Sequence, residues 1–320
     1  MAQNGWKSKA KYAIGSRLDP THRACYTIRL NTLQGTTVMA ARDNIITLDY
    51  DPALVEQRAA TVATETDEEI MARLKEKFED LKDLTRAIKQ GKLRAAVVSG
   101  PPGVGKSHGV EEVLQKDDLF NTIAGRTPKY EIVSGAMSAL GLYAKLFRYA
   151  DRGNVIVFDD CDSVLQDELS LNILKAALDS KKRRYISWNT DSRLLRTEGI
   201  PDRFEFSAGC MFITNIKFEH IRSKKLKDHL EAIKSRCFYI DLEMDTKREQ
   251  LLRIRQIVNE GMLQEYEFEE QEKTEIIDFI NQNADSLLEL SLRMVLKIAD
   301  LKKTFPQRWQ NKVQSLCFRR

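Results

Sequence analysis

The clearest pattern in this chain is a run of apolar residues at helical spacing that starts near Asp67. Six large apolar side chains recur there every three or four positions: Ile70, Leu74, Phe78, Leu81, Leu84 and Ile88. Because 3.6 residues complete a helical turn, this spacing places them on one face and predicts an amphipathic helix. Gly91 ends the pattern, since glycine is favoured just after a helix.

Beyond Gly91, short apolar runs alternate with helical segments up to about residue 241. The predicted strands are 93–99, 130–134, 154–159, 210–215 and 237–241. Such alternation is typical of a parallel sheet covered by helices, so the pattern predicts an α/β fold.

The regions on either side of this centre have different patterns. Residues 245–304 carry helical patterns without strands, which predicts a small helical domain, whereas residues 1–65 contain two strand-like segments, "ACYTIRL" and "NIITLDY", but no motif. We therefore predict four parts: an N-terminal region of unknown role (1–65), an α/β domain (66–244), the helical domain (245–304) and a basic C-terminal tail (305–320).

Composition narrows the class of protein and its compartment. The 320 residues are 42% hydrophobic and 31% charged, with a net charge of +4, as in ordinary globular domains. No apolar run is long enough to cross a membrane, and the polar N-terminus lacks a secretory pattern. Five scattered cysteines without CxxC spacing argue against a metal site of that kind and for a reducing compartment. The sequence thus predicts a cytoplasmic protein without a membrane partner.

The stretch "GPPGVGKSHG" lies between a predicted strand and a helical pattern, and it fits the spacing G-x-x-x-x-G-K-[ST]. Glycines at such a turn let backbone N–H groups surround a phosphate, while the lysine reaches the β- and γ-phosphates and the serine binds Mg²⁺. The alternative is an ordinary glycine and proline turn, which seldom has this spacing and context. We predict that ATP and Mg²⁺ bind to the loop and one acid: Gly100, Pro101, Pro102, Gly103, Val104, Gly105, Lys106, Ser107, His108 and Asp159.

Such a loop needs an acidic partner, and "NVIVFDDCDSVL" supplies one at the end of an apolar strand. Ligands of open α/β sheets bind at the carboxyl ends of the strands, so Asp159 and Asp160 are expected near the loop. Asp159 is predicted to hold Mg²⁺ together with Ser107. Asp160 is predicted to orient or deprotonate the attacking water.

These motifs resemble those of the AAA+ ATPases, and the resemblance covers residues 67–304. It implies a P-loop AAA+ core whose five-stranded parallel sheet has the order 5-1-4-3-2, followed by a small helical lid domain. The triplet "SRC" at 235–237 also resembles clamp-loader ATPases.

The resemblance implies catalytic roles for three further residues. Asn215, at the end of "CMFITN", matches the sensor of the lytic water, and Arg293, in "LELSLRMVLKIADL", matches the second sensor. Arg236 matches the arginine finger, with Arg222 as the alternative. The structural alternatives are a strand-end cap for Asn215 and surface positions for the arginines. A finger supplied by a neighbouring subunit implies a homo-oligomeric ring, with a hexamer as the expected size.

The chain departs from the AAA+ pattern at one acid. The family usually has Asp-Glu at the end of the second motif, and this chain has Asp159-Asp160. A carboxylate one methylene shorter lies about 1.5 Å farther from the water, and a displacement of that order costs about a hundredfold in rate. Hydrolysis is therefore expected to be slow or to depend on a partner.

An insertion at about residues 183–208 precedes the strand that ends near Asn215. Its segments "RYISW" and "RFEF" alternate like two strands, which predicts a hairpin. Four basic or aromatic residues of this insertion suit phosphate contacts and base stacking: Arg183, Arg184, Trp188 and Arg203. The alternative is a hairpin that packs between subunits, with its arginines paired with acids.

The leading functional hypothesis is an oligomeric ATPase of the helicase, clamp-loader or phage type that remodels DNA or DNA-bound protein complexes. For a phage protein, the compartment is the host cytoplasm. Two alternatives remain open: a remodelling chaperone that acts on a protein partner, and a nucleotide-gated scaffold with little hydrolysis. Stimulation of the ATPase by DNA, stimulation by a protein, or assembly without turnover distinguishes the three.

Overall fold

The computed structural model of the chain describes residues 64–216 and 223–319. The two strand-like segments predicted near the N-terminus and the alternative finger Arg222 lie outside these residues. Within them, the strands are β1 (Ala95–Ser99), β2 (Tyr130–Ser134), β3 (Val155–Asp159), β4 (Tyr185–Ser187), β5 (Arg203–Glu205), β6 (Gly209–Thr214) and β7 (Phe238–Asp241).

Helices cover most of the remaining described chain. In the α/β region they are α1 (Asp67–Lys89), α2 (Lys106–Ile123), α3 (Ala139–Arg148), α4 (Asp162–Gln166), α5 (Glu168–Ala177), α6 (Arg193–Thr197) and α7 (Lys224–Lys234). Towards the C-terminus they are α8 (Lys247–Ile257), α9 (Glu270–Gln282), α10 (Leu292–Thr304) and α11 (Trp309–Cys317). Within the described ranges, none of these helices combines the length and the apolar character needed to span a bilayer.

Five strands form one parallel sheet in the order β2-β3-β6-β1-β7, which confirms the predicted α/β class with a five-stranded parallel sheet. Numbered along the chain within this sheet alone, the order from one edge to the other is 5-1-4-3-2. Because all five strands are parallel, their carboxyl ends meet at one edge, and the loop after β1 lies there between β6 and β7.

The apolar pattern of the strands places the sheet between two buried layers. Alternate residues of β1 face opposite sides, so that Val97 packs in one apolar cluster and Val98 in the other. The predicted amphipathic helix is α1, whose six buried residues include Leu74 and Phe78 and pack mostly on the Val98 side. A capping box formed by Thr66 and Glu69 fixes its start.

The C-terminal helices have an apolar cluster of their own. It takes side chains from every helix between α8 and α11, with Ile298 and Val313 fully buried. Residues 305–320 were expected to form a basic tail, but within the described chain α11 packs into this cluster. Trp309 stacks obliquely on Phe279 with ring centroids 4.9 Å apart. The apolar residues of this helix, spaced four apart, outweigh its neighbouring basic residues in deciding the structure.

Strands β4 and β5 form a separate two-stranded antiparallel sheet at the segments where strands were predicted. The paired residues Ile186 and Phe204 both pack into the core, so this sheet has one buried face. Tyr185 lies on its exposed face. The connection between the two strands contains α6 and is therefore longer than a tight hairpin turn.

Candidate functional site

The loop between β1 and α2 has a backbone that only glycine adopts readily. Gly103 and Gly105 have φ values of +72° and +100°, in the left-handed region. Gly105 is also the N-cap of α2, so the loop leads directly into the amino end of an eighteen-residue helix. A helix amino end with its free N–H groups suits an anion.

Lys106 lies at the centre of the loop and is only 5% exposed. Its Nζ donates to the carbonyls of Gly100 and Pro101 at 2.7 and 2.8 Å and to Asn215 Oδ1 at 2.6 Å. Burial lowers the pKa of Lys106 to about 8, even though the nearby charges of Asp159 and Asp160 act to raise it. The site therefore holds a desolvated cation whose charge an entering anion would stabilise.

Ser107 and Asp159 form the second element of the site. The Ser107 hydroxyl donates to Asp159 Oδ1 at 2.9 Å, which joins the first turn of α2 to the end of β3. Burial raises the pKa of Asp159, while this hydrogen bond and the nearby charge of Lys106 partly oppose the rise. A hydroxyl beside a carboxylate offers the hard oxygen ligands that Mg²⁺ prefers, so these residues fit the predicted metal.

Asp160 and Asn215 complete the polar group at this edge. Asn215 Nδ2 donates to Asp160 Oδ1 at 3.0 Å, so the amide of Asn215 links Asp160 to Lys106. Asp160 has φ +51°, and its N–H bonds to the carbonyl of Ile213. Aspartate adopts this left-handed conformation more readily than glutamate, which gives a structural reason for the departure from Asp-Glu.

The C-terminal helical region contacts the loop directly. The N–H of Leu292, the first residue of α10, donates to the carbonyl of Gly103 at 2.8 Å. A Cβ on Gly103 would lie 2.7 Å from Ser291 Cβ, so the approach requires glycine. Arg293 is exposed, and its charge is close enough to lower the pKa values of both Lys106 and Asp159. The structure thus brings Arg293 to the edge of the sheet where the loop lies.

The remaining loop residues contribute in different ways. Pro102 and His108 are exposed, whereas Val104 is buried and packs in the Val98 layer of the core. Val104 therefore anchors the loop and offers it no polar group.

Arg236 lies away from this group. It precedes β7, at the amino ends of the strands, whereas the loop lies at their carboxyl ends. Its side chain is exposed and donates to the carbonyl of Ala232 in the preceding helix α7, and it forms no ion pair with any residue that the structure describes. An intramolecular contact between Arg236 and the loop is therefore excluded in this arrangement.

The four nucleic-acid candidates of the insertion separate into two pairs. Arg184 is 7% exposed and donates to the carbonyls of Ala177 and Ala208, at 2.7 and 3.0 Å. Trp188 packs against Tyr143 with ring centroids 5.6 Å apart, and its Nε1 is buried. The Arg184 side chain is committed to the interior, so we correct the expectation that it contacts nucleic acid. Trp188 is half-buried, and its contact with nucleic acid stays a prediction.

The other pair lies on the exposed face of the β4–β5 sheet. Arg183 forms an ion pair with Glu205 at 2.8 Å, as the alternative for this insertion expected. Arg203 stacks over the Tyr185 ring, 4.4 Å from its centroid, and forms no ion pair within the described ranges. Arg203 therefore keeps an uncompensated charge at the surface.

The structure adds a residue that the sequence analysis did not assign. Asp162 Oδ1 accepts a hydrogen bond from Thr214 Oγ1 at 2.8 Å, immediately beside Asn215. Burial raises the pKa of Asp162, and this hydrogen bond partly opposes the rise. The signal in the sequence was the third acid of "DDCD", two residues beyond Asp160.

Sequence comparison relates the chain to a bacteriophage protein. No protein-family model matches the sequence. It is similar to an uncharacterized 36.7 kDa protein of the nrdC-mobD intergenic region of Enterobacteria phage T4, with 30% identity over 266 residues. The alignment covers 82% of this chain and 78% of the phage protein. The chain therefore belongs to the same family as this phage T4 protein.

Proposed function

We propose that this protein is a Mg²⁺-dependent ATPase whose active site lies at the carboxyl edge of the five-stranded sheet. One observation carries the proposal: the buried Lys106, the Ser107–Asp159 pair and the Asn215–Asp160 pair meet around a glycine-rich loop at a helix amino end. Few other functions require a desolvated cation, a hydroxyl–carboxylate pair and a second carboxylate in one site.

Each group has a task in this proposal. Lys106 and the loop N–H groups bind the β- and γ-phosphates, and Ser107 and Asp159 hold Mg²⁺, which neutralises charge on the phosphate oxygens. Asn215 and Asp160 orient the water that attacks the γ-phosphorus. As the new P–O bond forms, the bond to the β-phosphate oxygen breaks and ADP leaves with the electron pair. Asp160 or the released phosphate takes the proton of the water.

Calorimetry and phosphate release test this proposal. We expect the chain to bind MgATP and to release phosphate from it. In the Ser107→Ala variant, phosphate release should depend less strongly on the Mg²⁺ concentration. Thr122→Ala, which removes a hydroxyl bonded within α2, is the control and should change neither. Absence of MgATP binding by folded protein contradicts the proposal. Binding without turnover favours the nucleotide-gated scaffold.

We further propose that the ATPase is of the AAA+ type. The strand order 5-1-4-3-2 supports this assignment, as does the contact between the loop and the first residue of α10. Arg293 then acts as the sensor on the γ-phosphate from the helical lid.

Arg236 supports a ring in which one copy completes the site of the next. It is exposed, lacks an acidic partner within the described chain and lies at the opposite edge of the sheet from its own loop. A homo-oligomeric ring, with six copies as the expected size, uses such an arginine in trans. Mixing Arg236→Ala with Asp160→Asn tests this: each is inactive alone, and mixed rings should regain part of the activity. No recovery on mixing contradicts action in trans.

DNA is the substrate that we propose for the motor, in the cytoplasm of a phage host. Arg203 stacks on Tyr185 of the β4–β5 sheet, and Lys182, three residues before β4, is exposed. Neither forms an ion pair within the described chain, so both cations suit a phosphate backbone. Single-stranded DNA should stimulate phosphate release less as salt rises, and the double variant Lys182→Ala/Arg203→Ala should weaken this stimulation. Stimulation by an unfolded protein instead favours the chaperone alternative.

A further inference from the structure

Asp162 is the third acid of the segment that follows β3 and the first residue of α4. Its carboxylate faces the end of β6 and accepts the hydrogen bond of the Thr214 hydroxyl at 2.8 Å. Thr214 is completely buried and Asp162 is half-buried, so the contact is largely shielded on the Thr214 side. It ties the short helix α4 to the last residue of the neighbouring strand.

The Thr214 hydroxyl also accepts a hydrogen bond, from the N–H of Ile216 at 3.0 Å. The carbonyl of Ile216 in turn accepts from Ser99 Oγ at 3.2 Å. Both neighbours of Asn215 are thus held by side chains, and the backbone on either side of it is fixed. Asp162 orients the Thr214 hydroxyl. Because this hydroxyl donates its hydrogen bond to Asp162, its lone pairs are free to accept from the Ile216 N–H.

Asn215 itself is exposed, so packing does not decide where its amide points. It nevertheless contacts Lys106 at 2.6 Å and Asp160 at 3.0 Å with its two polar atoms. These two hydrogen bonds orient the amide, and a fixed backbone adds to their effect, since an exposed side chain on a loose turn samples several rotamers. The hydrogen bonds of Thr214 and Ile216 therefore contribute to the precision of this part of the site.

We propose that Asp162 is a positioning residue: through the Thr214 hydroxyl it holds Asn215 in contact with Asp160 and Lys106. It acts through Asn215 and is not a ligand of the phosphates or the metal. The inference rests on the proposed ATPase function. It concerns the hydrolysis step, because Asn215 and Asp160 are the residues proposed to orient the attacking water. Binding of ATP depends chiefly on Lys106 and the loop, which Asp162 does not anchor.

Three variants test the role of Asp162. Asp162→Ala and Thr214→Val each remove the hydrogen bond, and we expect each to lower kcat by about 10- to 100-fold while the Kd for MgATP changes by less than about threefold. Asp162→Asn keeps an oxygen acceptor and should retain most of the activity. The double variant Asp162→Ala/Thr214→Val should be no slower than the slower single variant, because both changes break one contact.

Thr85→Val is the matched control. Thr85 is also a completely buried threonine, and its hydroxyl bonds to the carbonyl of Leu81 within α1. Its loss should lower the thermal midpoint as Thr214→Val does, without the loss of kcat. If Asp162→Ala does not fold, Thr214→Val carries the comparison with this control.

The possible outcomes separate this inference from the function beneath it. If Asp162→Asn is as slow as Asp162→Ala, the residue acts through its charge, and the positioning role is overturned. Unchanged kcat in Asp162→Ala, or a Kd that weakens as much as kcat falls, also overturns it. A wild-type chain that neither binds nor hydrolyses MgATP overturns the proposed function and this inference together.

Discussion

The loop between β1 and α2 and the segment that leads into β4 each bury a cation whose N–H groups donate to backbone carbonyls, yet the surroundings of the two cations differ. Lys106 is 5% exposed and Arg184 is 7% exposed. Lys106 lies at the open edge of the sheet beside carboxylates, and its third donor goes to the exposed Asn215. Arg184 lies over the Phe206 ring and donates to two carbonyls of the interior.

The difference shows what makes a buried cation functional. If an anion replaced the acceptors of Lys106, the exposed Asn215 and the half-buried Pro101 could turn to solvent, and only the carbonyl of Gly100 is buried. Replacing the acceptors of Arg184 would leave the carbonyls of Ala177 and Ala208 without donors, at a cost of about 1–3 kcal/mol each.

Asp160→Asn should have the largest effect. It removes the carboxylate that we propose orients the water while keeping the shape of the side chain, so kcat should fall by about a thousandfold and MgATP binding should persist. Phosphate release and calorimetry measure the two quantities. The control is Asp191→Asn, an exposed carboxylate in the connection between β4 and β5. If both variants are equally active, Asp160 has no role in hydrolysis.

Lys106→Met should weaken MgATP binding by about a hundredfold, since the charged donor to the phosphates is lost. In the absence of nucleotide, the same variant should unfold at an equal or higher urea concentration, because a desolvated charge has been removed from a site where burial disfavours it. A variant that keeps the wild-type affinity would show that Lys106 is structural, as Arg184 is.

Arg184→Met should show the reverse behaviour. Two buried carbonyls lose their charged donors, so the free energy of unfolding should fall by about 2–3 kcal/mol in a urea titration. The affinity for MgATP in the folded state should be unchanged. Arg203→Met, at an exposed position on the same sheet, should alter stability by less than about 0.5 kcal/mol. Equal destabilisation by the two variants would contradict the interior role of Arg184.

The smallest effect is a dependence on pH. The pKa of Lys106 is lowered to about 8, and bound phosphates favour its charged form, so binding above pH 8 must take up a proton. Affinity for MgATP should therefore be level just below pH 8 and fall by up to about tenfold per pH unit above it. Lys106→Met should show no such fall between pH 8 and 9.5, as measured by calorimetry.

The same pKa has a consequence for folding in the absence of nucleotide. The ordinary pKa of lysine, 10.5, applies to the unfolded chain, so the unfolded state binds more protons between pH 8 and 10.5. Lys106 thus makes stability rise with pH in that window, and its charged form opposes folding below pH 8. A bound anion would offset this cost by stabilising the charged form of Lys106.

Local patterns were enough to predict the sheet strands within about two residues, and the start of α1 was predicted at Asp67. Burial could not be predicted for the insertion, because Arg183 and Arg184 are neighbours of the same type in the sequence. Side chains of successive residues in extended chain point in opposite directions, and just before β4 Arg183 is exposed while Arg184 is interior. The packing of α11 was missed for a similar reason, since its basic neighbours concealed apolar residues spaced four apart.

The sequence by itself determined the chemistry of the site: the glycine loop, the lysine, the serine and the acids are encoded in two short segments at strand ends. Only the tertiary structure decided how these groups contact one another. The link from Asp160 through Asn215 to Lys106, the Asp162 support beneath it and the approach of Ser291 to Gly103 join residues 52 to 188 positions apart. Such contacts depend on strand order and packing, which bring distant segments together, and no local pattern encodes them.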